Sequence, residues 1–378
     1  MELKIGKSPL LVGLQRAQNI VEKKTTLPIL SHILLDARAG ALELSSTDLE
    51  VGVIESCEAS VLQDGSTTVH ARKLFEIIRE LPEEQIHLGL KQGQLEIRCG
   101  RSRFRLRCLP PEEFPQVPPV KSSRSIHLPG ALVRDMIRRI IHSVSGDESR
   151  YTLTGALLQM ERKEEKTLFR MITTDGHRLS LCERVLENTE CIEELTKGSE
   201  LDPRHVILPR KGILEMGRLV EEDGQDIEFG VYQENAFLRR DKFFMMMRLI
   251  QGKFPDYRSV IPGQIERSFS VEASALEQSL RRVSVLSTEK ARGVRLAVES
   301  GKMTIFSNSP EIGEAQEEVD IQYSGESFEA AFNFRYLLDI LEIATGTISL
   351  DFGKGLKPCL IREETDPQFL YVVMPLRL

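Results

Sequence analysis

Apolar and basic residues recur with helical spacing in the stretch 208–220. Its apolar positions share one helical face and are Ile213, Met216, Gly217 and Val220. Lys211 and Arg218 lie seven positions apart and fall on the opposite face. Pro209 suits the start of this helix, because its missing N–H would have no intrahelical partner there. The pattern predicts a helix with an apolar underside and a basic top, although an ordinary solvated helix has the same pattern.

This pattern occurs twice more along the chain. Residues 69–81 place Arg72 and Arg79 opposite an apolar stripe. Residues 332–341 form a weaker copy in which only Arg335 lies on the basic side. Each copy is preceded by another amphipathic helix that follows a short strand. These helices are predicted at 9–20, 130–141 and 274–286, after strands at 3–5, 126–128 and 269–271. Because internal repetition can decide a whole fold, the chain is predicted to contain three similar units.

Between the helices the chain is mostly alternating strand. Strands are predicted at 33–36, 42–45, 51–58, 95–98, 103–108, 168–173, 237–239, 243–249, 294–298, 303–306 and 370–374. The fold class is therefore α+β, with two helices packed on antiparallel sheets in each unit. The three domains are predicted at residues 1–120, 126–250 and 264–378. Their boundaries fall in the proline-containing segments 110–119 and 252–263, since proline forbids helix and favours an extended linker.

Composition agrees with this organisation. The 378 residues are 41% hydrophobic and 28% charged, as in a soluble globular protein of two or three domains. No apolar run approaches the roughly 18 residues that a membrane span needs, and the first residues have no signal-peptide core. We therefore expect a cytoplasmic protein without a membrane partner. Six cysteines without a Cys-x-x-Cys pair predict reduced thiols, and we expect neither a metal nor a cofactor.

The charge distribution changes the functional expectation. A net charge of −7 would count against nucleic-acid binding if it were spread evenly. Basic residues instead collect on the predicted helices, while acidic residues collect elsewhere, as in 311–318. Aromatic residues make up only 6% and there is no tryptophan, so base stacking is not the expected mode. The pattern favours contacts to a phosphate backbone over reading of bases.

The most enzyme-like stretch is Thr173-Thr174-Asp175-Gly176-His177-Arg178. Asp175 and His177 could act as an orienting acid and a base, but no nearby serine or cysteine has the pattern of a nucleophile. The alternative is a tight turn in which Gly176 adopts a backbone angle that other residues avoid. No phosphate-binding loop is present, because 353–357 lacks both the spacing and the final Lys-Ser/Thr pair.

Nine short segments across the chain carry a resemblance that none carries alone. They are residues 26–30, 47–50, 71–73, 100–104, 174–179, 209–212, 254–258, 292–296 and 371–378. Together they resemble the bacterial sliding clamps, the beta subunits of DNA polymerase III. The resemblance implies a non-catalytic accessory subunit of a DNA-directed DNA polymerase. It also implies a head-to-tail homodimeric ring of six clamp-type domains, with helices lining the hole and sheets outside, that encircles duplex DNA without reading its sequence.

The resemblance places cationic side chains of the helices next to DNA. The candidates are Lys24, Arg72, Lys73, Arg134, Arg138, Arg210, Lys211 and Arg282. Diffuse phosphate attraction would permit sliding, while closure of the ring would retain the DNA. The alternative for each residue is a solvated position on a helix. Asp147 lies in a loop that in relatives helps to contact DNA, and an acid there argues against a direct phosphate contact.

The resemblance also implies a peptide groove between the second and third domains. It would bind short hydrophobic motifs of the clamp loader, the replicative polymerase and other replication or repair proteins. Its residues would be Leu153, Thr174, Gly176, His177, Arg178, Leu179, Pro255, Val260, Val372, Met374, Pro375, Leu376, Arg377 and Leu378. An adaptable methionine suits such a pocket. The alternative is a last edge strand packed into its own core. Ser259 stands where relatives often carry arginine, so the polar rim of the groove is expected to differ.

For the ring joint, the resemblance pairs apolar residues of one chain with those of another. These are Phe104 and Leu106 on one side and Val285 and Leu286 on the other. Arg101, Arg103 and Arg105 would face Glu314, Glu317 and Glu318. Exposed ion pairs set register more than affinity, so the apolar residues should carry stability.

Two other classes of function stay open at this point. An enzyme using Asp175 and His177 would lose turnover on replacement of His177. A simple nucleic-acid-binding module would show sequence preference or bind short linear duplex tightly.

Overall fold

The computed structural model describes residues 1–22, 26–82, 84–118, 120, 125–164, 166–186, 205–221, 224–287, 292–309, 311–353 and 358–377. Lys24 and Leu378, both predicted site residues, lie outside these ranges. Within them, internal contacts group the chain into two compact units. The first holds residues 1–130 and 218–249, and the second holds 131–186, 205–217 and 250–377.

The described ranges contain six α-helices at the predicted places. They are α1 (Lys7–Ile20), α2 (Ala71–Glu80), α3 (Gly130–Ile140), α4 (Arg210–Glu221), α5 (Ala273–Val283) and α6 (Phe334–Leu341). The apolar face predicted for α4 is buried, with Ile213, Met216 and Val220 fully inaccessible. Pro209 is the last residue of a strand and precedes α4, so the prediction that it opens the helix is wrong by one position. Backbone pairing of the strand extends through it and delays the helix.

The strands form three antiparallel sheets. The first contains β1 (Glu2–Gly6), β2 (His32–Arg38), β3 (Ala41–Thr47), β4 (Val51–Glu58), β5 (Ser60–Gln63), β6 (Gly65–His70), β7 (Gln85–Lys91), β8 (Gln94–Cys99), β9 (Ser102–Leu109), β10 (Ser125–Leu128), β15 (Ile227–Tyr232), β16 (Asn235–Arg240) and β17 (Phe243–Arg248). The second contains β11 (Gly155–Lys163), β12 (Lys166–Thr174), β13 (Arg178–Leu186), β14 (His205–Pro209), β18 (Arg267–Glu272), β23 (Thr347–Phe352), β24 (Cys359–Glu363) and β25 (Phe369–Val373). The third contains β19 (Gly293–Glu299), β20 (Lys302–Ser309), β21 (Gly313–Asp320) and β22 (Phe328–Asn333).

The order of elements confirms the threefold repeat. Each repeat reads strand, helix, three strands, a further strand, helix and three strands, with β5 as an addition in the first. The strand before each second helix also pairs with the end of its repeat in the same way. Thr68 pairs with Leu109, Ile207 with Ile250, and Ala331 with Leu376. Thr68, Ile207 and Ala331 each lie three positions before the first residue of the helix that follows.

Two strand pairings join successive repeats. In the first joint, β4 pairs with β17, so that Val51 lies opposite Met247 and Gly52 opposite Met246. In the second joint, β13 pairs with β25, so that Arg178 lies opposite Val373 and Leu179 opposite Val372. The first joint lies wholly within the first compact unit and the second within the other. Backbone hydrogen bonds across each joint make one continuous sheet from two repeats.

Buried aliphatic side chains fill the space between helices and sheets, as the alternating patterns predict. In the first repeat, Leu10 and Leu14 of α1 share one cluster with Leu74 and Ile78 of α2. The α+β prediction is confirmed. None of the helices in the described ranges is both long and apolar enough to cross a membrane.

Candidate functional site

The turn between β12 and β13 is built from its own hydrogen bonds. Thr174 Oγ1 donates to the carbonyl of Arg178 over 2.6 Å. The Asp175 carboxylate accepts the amide hydrogens of His177, at 2.9 Å, and of Arg178, at 3.0 Å. Gly176 has φ of +88°, a left-handed angle that costs other residues free energy. Asp175 therefore holds the backbone rather than an imidazole, and the tight-turn interpretation is favoured over an acid–base pair.

Arg178 ties this turn to helix α6. Its Nε donates to Asp175 Oδ2 over 3.0 Å, and its other nitrogens bond to the Asp339 carboxylate of α6 and to the carbonyl of His142. The guanidinium lies 4.4 Å from the centre of the Tyr336 ring. Burial lowers the pKa of Arg178, but Tyr371 and Asp339 more than offset this and raise it above its ordinary value. A permanently charged side chain thus fixes the turn in place.

A buried hydroxyl and imidazole network lies beneath the turn. Ser143 and Ser180 are within 2.7 Å through their Oγ atoms, and Ser180 Oγ lies 3.2 Å from His142 Nε2. The His142 ring packs against Tyr371 at 5.5 Å between centres. Burial, helped by the positive charge of Arg178, lowers the pKa of His142 to about 3. His142 is therefore neutral at physiological pH. Both serines are fully buried, so this network supports the turn rather than offering a nucleophile.

Predicted groove residues form an apolar floor beside the turn. Leu153, Leu179 and Val372 belong to one buried cluster, and Val260 packs against it from a half-buried position. The chain that follows β25 leaves Met374 and Leu376 with 39% and 41% of their surface exposed. Met374 is held at the turn beside this floor, since its amide donates to the carbonyl of His177. An apolar side chain left in solvent beside a buried apolar floor is suited to accept an apolar partner.

The strand before this exposed tail is not an edge strand. β25 pairs with β13 on one side and β24 on the other. Beyond β25, the amide of Leu376 donates to the carbonyl of Ala331 over 2.7 Å. The tail is therefore held by its backbone while its side chains stay outside, which argues against the alternative of an edge strand packed into its own core.

The remaining groove predictions lie at the rim. Pro255, His177 and Arg377 are exposed, Thr174 and Pro375 are half-buried, and all belong to the second compact unit. Arg377 and Leu376 line a cavity of about 700 Å³ together with Phe306 and Arg295 of the third sheet. Ser259 donates to the carbonyl of Asp256 over 2.7 Å, so it caps a short turn at this rim.

The sequence analysis did not single out two side chains that contact the turn of the predicted groove. Tyr336 of α6 stacks on His177 with ring centres 6.4 Å apart. Arg150 donates to the carbonyl of Asp175 over 2.9 Å from the outer side of the turn. Tyr336 lies far from the turn in sequence and carried no local signal. Arg150 could have been found from the sequence, because it lies three residues after Asp147. Asp147 itself caps the short helix that follows it, by accepting the amide hydrogen of Ser149.

The candidate DNA-facing cations fall into two groups. Arg134 and Arg138 of α3 and Arg210 of α4 are exposed, and within the described part of the chain their guanidinium groups make no ion pair. In α2, Arg72 and Lys73 both bond to Glu76, at 3.1 and 2.7 Å. The Arg282 Nε lies 2.9 Å from Glu317, and Lys211 is half-buried. The first group therefore presents charge more fully than the second.

The predicted interface residues lie on two strands and a helix end. Phe104 of β9 is 39% exposed and Val285 is 77% exposed, whereas Leu106 and Leu286 are half-buried. Arg103 and Arg105 both contact Glu96 of β8, and Arg103 Nε lies 2.6 Å from its carboxylate. Glu318 lies 3.1 Å from Lys302. Several predicted interchain charges thus already have partners inside the chain, and Arg101 and Glu314 are exposed.

In the described ranges, no three histidine, cysteine, aspartate or glutamate side chains gather as they would around a metal ion. The described residues instead form a fixed turn, an apolar floor, exposed cations on helices and two strand edges.

Comparison with known proteins agrees over the whole chain. Family models of the DNA polymerase III beta subunit match in order: the N-terminal domain over residues 1–118, the central domain over 127–256 and the C-terminal domain over 258–377. A beta sliding clamp of Pseudomonas putida is 35% identical over 382 residues and 100% of both chains. A solved beta sliding clamp of Caulobacter crescentus is 35% identical, with a TM-score of 0.91 and 100% of both chains covered. A sliding clamp of Bartonella birtlesii, solved bound to griselimycin, is 29% identical, with a TM-score of 0.93 and the same coverage. The chain therefore belongs to the beta-subunit family of DNA polymerase III, the beta sliding clamps, which are non-catalytic accessory subunits.

Proposed function

We propose that two copies of the chain associate head to tail into a ring around duplex DNA and act as a processivity clamp. In this role the second joint binds short hydrophobic motifs of the clamp loader, the replicative polymerase and other replication or repair proteins. The single observation that supports ring formation most strongly is a pair of strand edges, on β21 and β9, that the threefold repeat leaves without a joint among the described residues.

Both joints pair corresponding strands of successive repeats. β4 and β13 are the third strands after the first helix of the first and second repeats, and they pair with β17 and β25, the last strands of the following repeats. The remaining members of this set are β21 in the third repeat and β9 in the first. Among the described residues, β21 pairs only with β20, and residues 102–107 of β9 pair only with β8.

Pairing β21 of one copy with β9 of another would repeat the same joint between chains. Two such joints use the leftover edges of both chains, so a dimer is the smallest assembly that closes. The exposed side chains of Phe104 and Val285 lie at or near these edges and would lose apolar surface to water there. In this proposal the three repeats are domains that span residues 1–120, 126–250 and 264–378.

Sequence-independent DNA contact would come from the helices. Arg134, Arg138 and Arg210 present exposed guanidinium groups, and phosphates attract such charges without reference to base sequence. Individually weak contacts exchange easily, so the ring can slide while enclosure prevents loss. The protein would act in the cytoplasm, where the replicating chromosome lies.

Partner binding would use the floor of Leu153, Leu179 and Val372 under the exposed Met374. A partner supplies apolar side chains to this floor, and the fixed turn of Gly176 and His177 supplies a rigid wall. Rigidity lowers the entropy that binding costs, because the groove does not have to be ordered by the ligand.

The ring is tested by mass and by DNA topology. Light scattering should give a particle of about twice 42.8 kDa. After loading, the protein should stay on nicked circular DNA and leave when that DNA is linearised. Phe104→Asp should give monomers, whereas Leu62→Asp, which changes a still more exposed apolar residue of β5, should not. Monomeric wild type, or equal retention on circular and linear DNA, would contradict the proposal.

Groove binding is tested separately with a fluorescent peptide containing Gln-Leu-Ser-Leu-Phe. The labelled peptide should bind the wild type and bind His177→Ala more weakly. Lys166→Ala, an exposed residue at the opposite end of β12 from this turn, serves as the control. Loss of binding in the control but not in His177→Ala would place the site elsewhere.

A further inference from the structure

One arginine occupies the same helical position in all three repeats. It is the tenth residue of the first helix of each repeat, and it is Arg16 in α1, Arg139 in α3 and Arg282 in α5. Each of these helices follows the first strand of its repeat. Equal positions on helices that enter their repeats in the same way place the three side chains on the same face. The three arginines are therefore structural counterparts.

In the two internal joints, this arginine contacts the last strand of the next repeat. The Arg16 guanidinium lies 5.5 Å from the centre of the Phe243 ring of β17. The Arg139 guanidinium lies 5.0 Å from the centre of the Phe369 ring of β25. A cation over an aromatic face is attracted by the electron density of the ring. Both arginine side chains are also covered, since only 19% and 14% of their surface is exposed.

Arg282 has the same kind of carboxylate partner but stays uncovered. Arg16 Nη1 lies 2.8 Å from Glu55 of β4, and Arg282 Nε lies 2.9 Å from Glu317 of β21. Yet 58% of the Arg282 side chain is exposed. Among the described residues, β21 has a neighbouring strand on one side only. Arg282 thus stands beside the open edge of β21 as Arg16 stands beside the joint of β4 with β17.

The repeat identifies the residue of β9 that corresponds to Phe243. Leu109 and Ile250 end the first and second repeats in the same pairing. Ser102 and Phe243 lie seven positions before them, and each pairs with the residue three positions before itself in its hairpin. Ser102 is therefore the counterpart of Phe243.

The register of the first joint also indicates what would face Ser102 in a ring. Phe243 lies opposite Glu55, which bonds to the arginine of that repeat. In an equivalent joint between chains, Ser102 of a second copy would lie opposite Glu317, the carboxylate partner of Arg282. The Arg282 guanidinium would then meet a hydroxyl where both internal joints have a phenylalanine ring.

We propose that Arg282 is a residue of the joint between chains, packed against Ser102 of a second copy, rather than a contact to DNA. Ser102 shares one face of β9 with Phe104 and Leu106, since side chains alternate along a strand, and these are the apolar residues predicted for the same joint. Because a hydroxyl has no aromatic face, this joint lacks the cation–π contact of both internal joints and is held less strongly. The inference rests on the proposed function in that it requires the ring.

The contact is tested by adding the aromatic ring that the internal joints have. Ser102→Phe should tighten the dimer about tenfold, since each of the two joints gains one cation–π contact. Analytical ultracentrifugation of the full chain over a dilution series measures the dissociation constant. Arg282→Gln should weaken the dimer, and in the double variant the gain from phenylalanine should disappear.

Ser102→Leu is the matched control, because leucine adds apolar surface without an aromatic face. It should tighten the dimer less than phenylalanine does, and by the same factor with or without Arg282. Urea denaturation of each variant checks that its fold is intact.

The outcomes separate this inference from the ring itself. Wild type that stays monomeric would contradict the ring. A dimer that phenylalanine does not tighten, or a gain that survives Arg282→Gln, would overturn the joint role of Arg282 and leave the ring in place. The same holds if Arg282→Gln leaves the dimer unchanged and weakens binding to a short linear duplex as much as Arg138→Gln does.

Discussion

The amide of Met374 donates a 2.8 Å hydrogen bond to the carbonyl of His177, and this bond extends the second joint past the end of β25. The amide of Arg248 makes the same bond, also 2.8 Å, to Glu50 in the first joint. The carbonyls of His177 and Glu50 thus hold the segment that follows the last strand of the neighbouring repeat. The shape of the turn consequently sets the position of Met374 beside the groove floor.

Gly176→Ala should strain this turn. A Cβ at a φ of +88° is unfavourable by itself, and it would also contact Arg150 Nη1, which must then leave the carbonyl of Asp175. We expect a loss of about 1–2 kcal/mol of unfolding free energy and weaker binding of the Gln-Leu-Ser-Leu-Phe peptide. Urea denaturation and a peptide titration measure the two effects. Unchanged stability would show that the turn is not held as described.

Leu49→Gly is the converse experiment at the equivalent turn. Leu49 adopts φ of +78° and is 57% exposed, so glycine removes strain while giving up little packing. We expect the variant to gain up to about 1 kcal/mol in unfolding free energy, because glycine reaches left-handed angles without a Cβ clash. Gly40→Ala, at φ of +79° with open space around its Cβ, should lose stability in the same denaturation series. A destabilised Leu49→Gly would mean that its side chain packs more than its exposure indicates.

The helices were predictable because their apolar spacing is local and strong. Several strands were not. β13 reads as a mixed stretch because Arg184 stands in it, yet Arg184 is neutralised by Asp366 at 2.6 Å, a residue far away in sequence. β11 and β14 were also missed, since the short apolar runs of strands buried on both faces have no period.

In the candidate site, too, the local features could be predicted from the sequence and the long-range contacts could not. The turn was visible in sequence, because Asp-Gly after a strand restricts the backbone over a few residues. The stacking of Tyr336 on His177 was not, because it depends on where α6 lies after the sheet has formed. Likewise, the charge of Arg72 could be read from sequence, but its sharing of Glu76 with Lys73 became visible only with side-chain positions.

His142 should make the protein sensitive to mild acid. Its pKa is lowered from 6.5 to about 3 in the folded protein, while the unfolded chain takes up the proton near pH 6.5. Lowering the pH from 6.5 towards 3 therefore favours the unfolded chain, by up to about 1.4 kcal/mol per pH unit for this group. His142→Gln removes the titration and can retain a contact with Ser180. Stability of the variant measured against pH should fall less steeply than that of the wild type over this range. Parallel curves would contradict the assignment.

Glu96 should act in a lower pH range. Burial raises its pKa, but hydrogen bonds from Arg103 and Arg98 outweigh this and lower it to about 2 from an ordinary 4.5. Its ionised form therefore stabilises the fold above about pH 4.5, and this contribution is lost as the pH falls towards 2. Glu96→Gln should be less stable than the wild type at pH 7, and the difference should shrink below pH 4.5. Arg103 and Arg105 would also lose their shared partner beside the β9 edge, so light scattering should show a weaker dimer.

The two groups of helical cations should differ in their contribution to DNA binding. Arg138 is exposed and makes no ion pair within the described residues, so a phosphate can take its full charge. Arg282 is held by Glu317, which a phosphate would have to displace. Arg138→Gln should therefore reduce the slope of log affinity against log salt for duplex DNA by about 1, and Arg282→Gln by distinctly less. Fluorescence anisotropy on one labelled duplex at low, graded salt concentrations measures both slopes. An equal loss in the two variants would mean that the Arg282–Glu317 pair opens on DNA, and a loss that depended on duplex sequence would mean that these side chains read bases rather than phosphates.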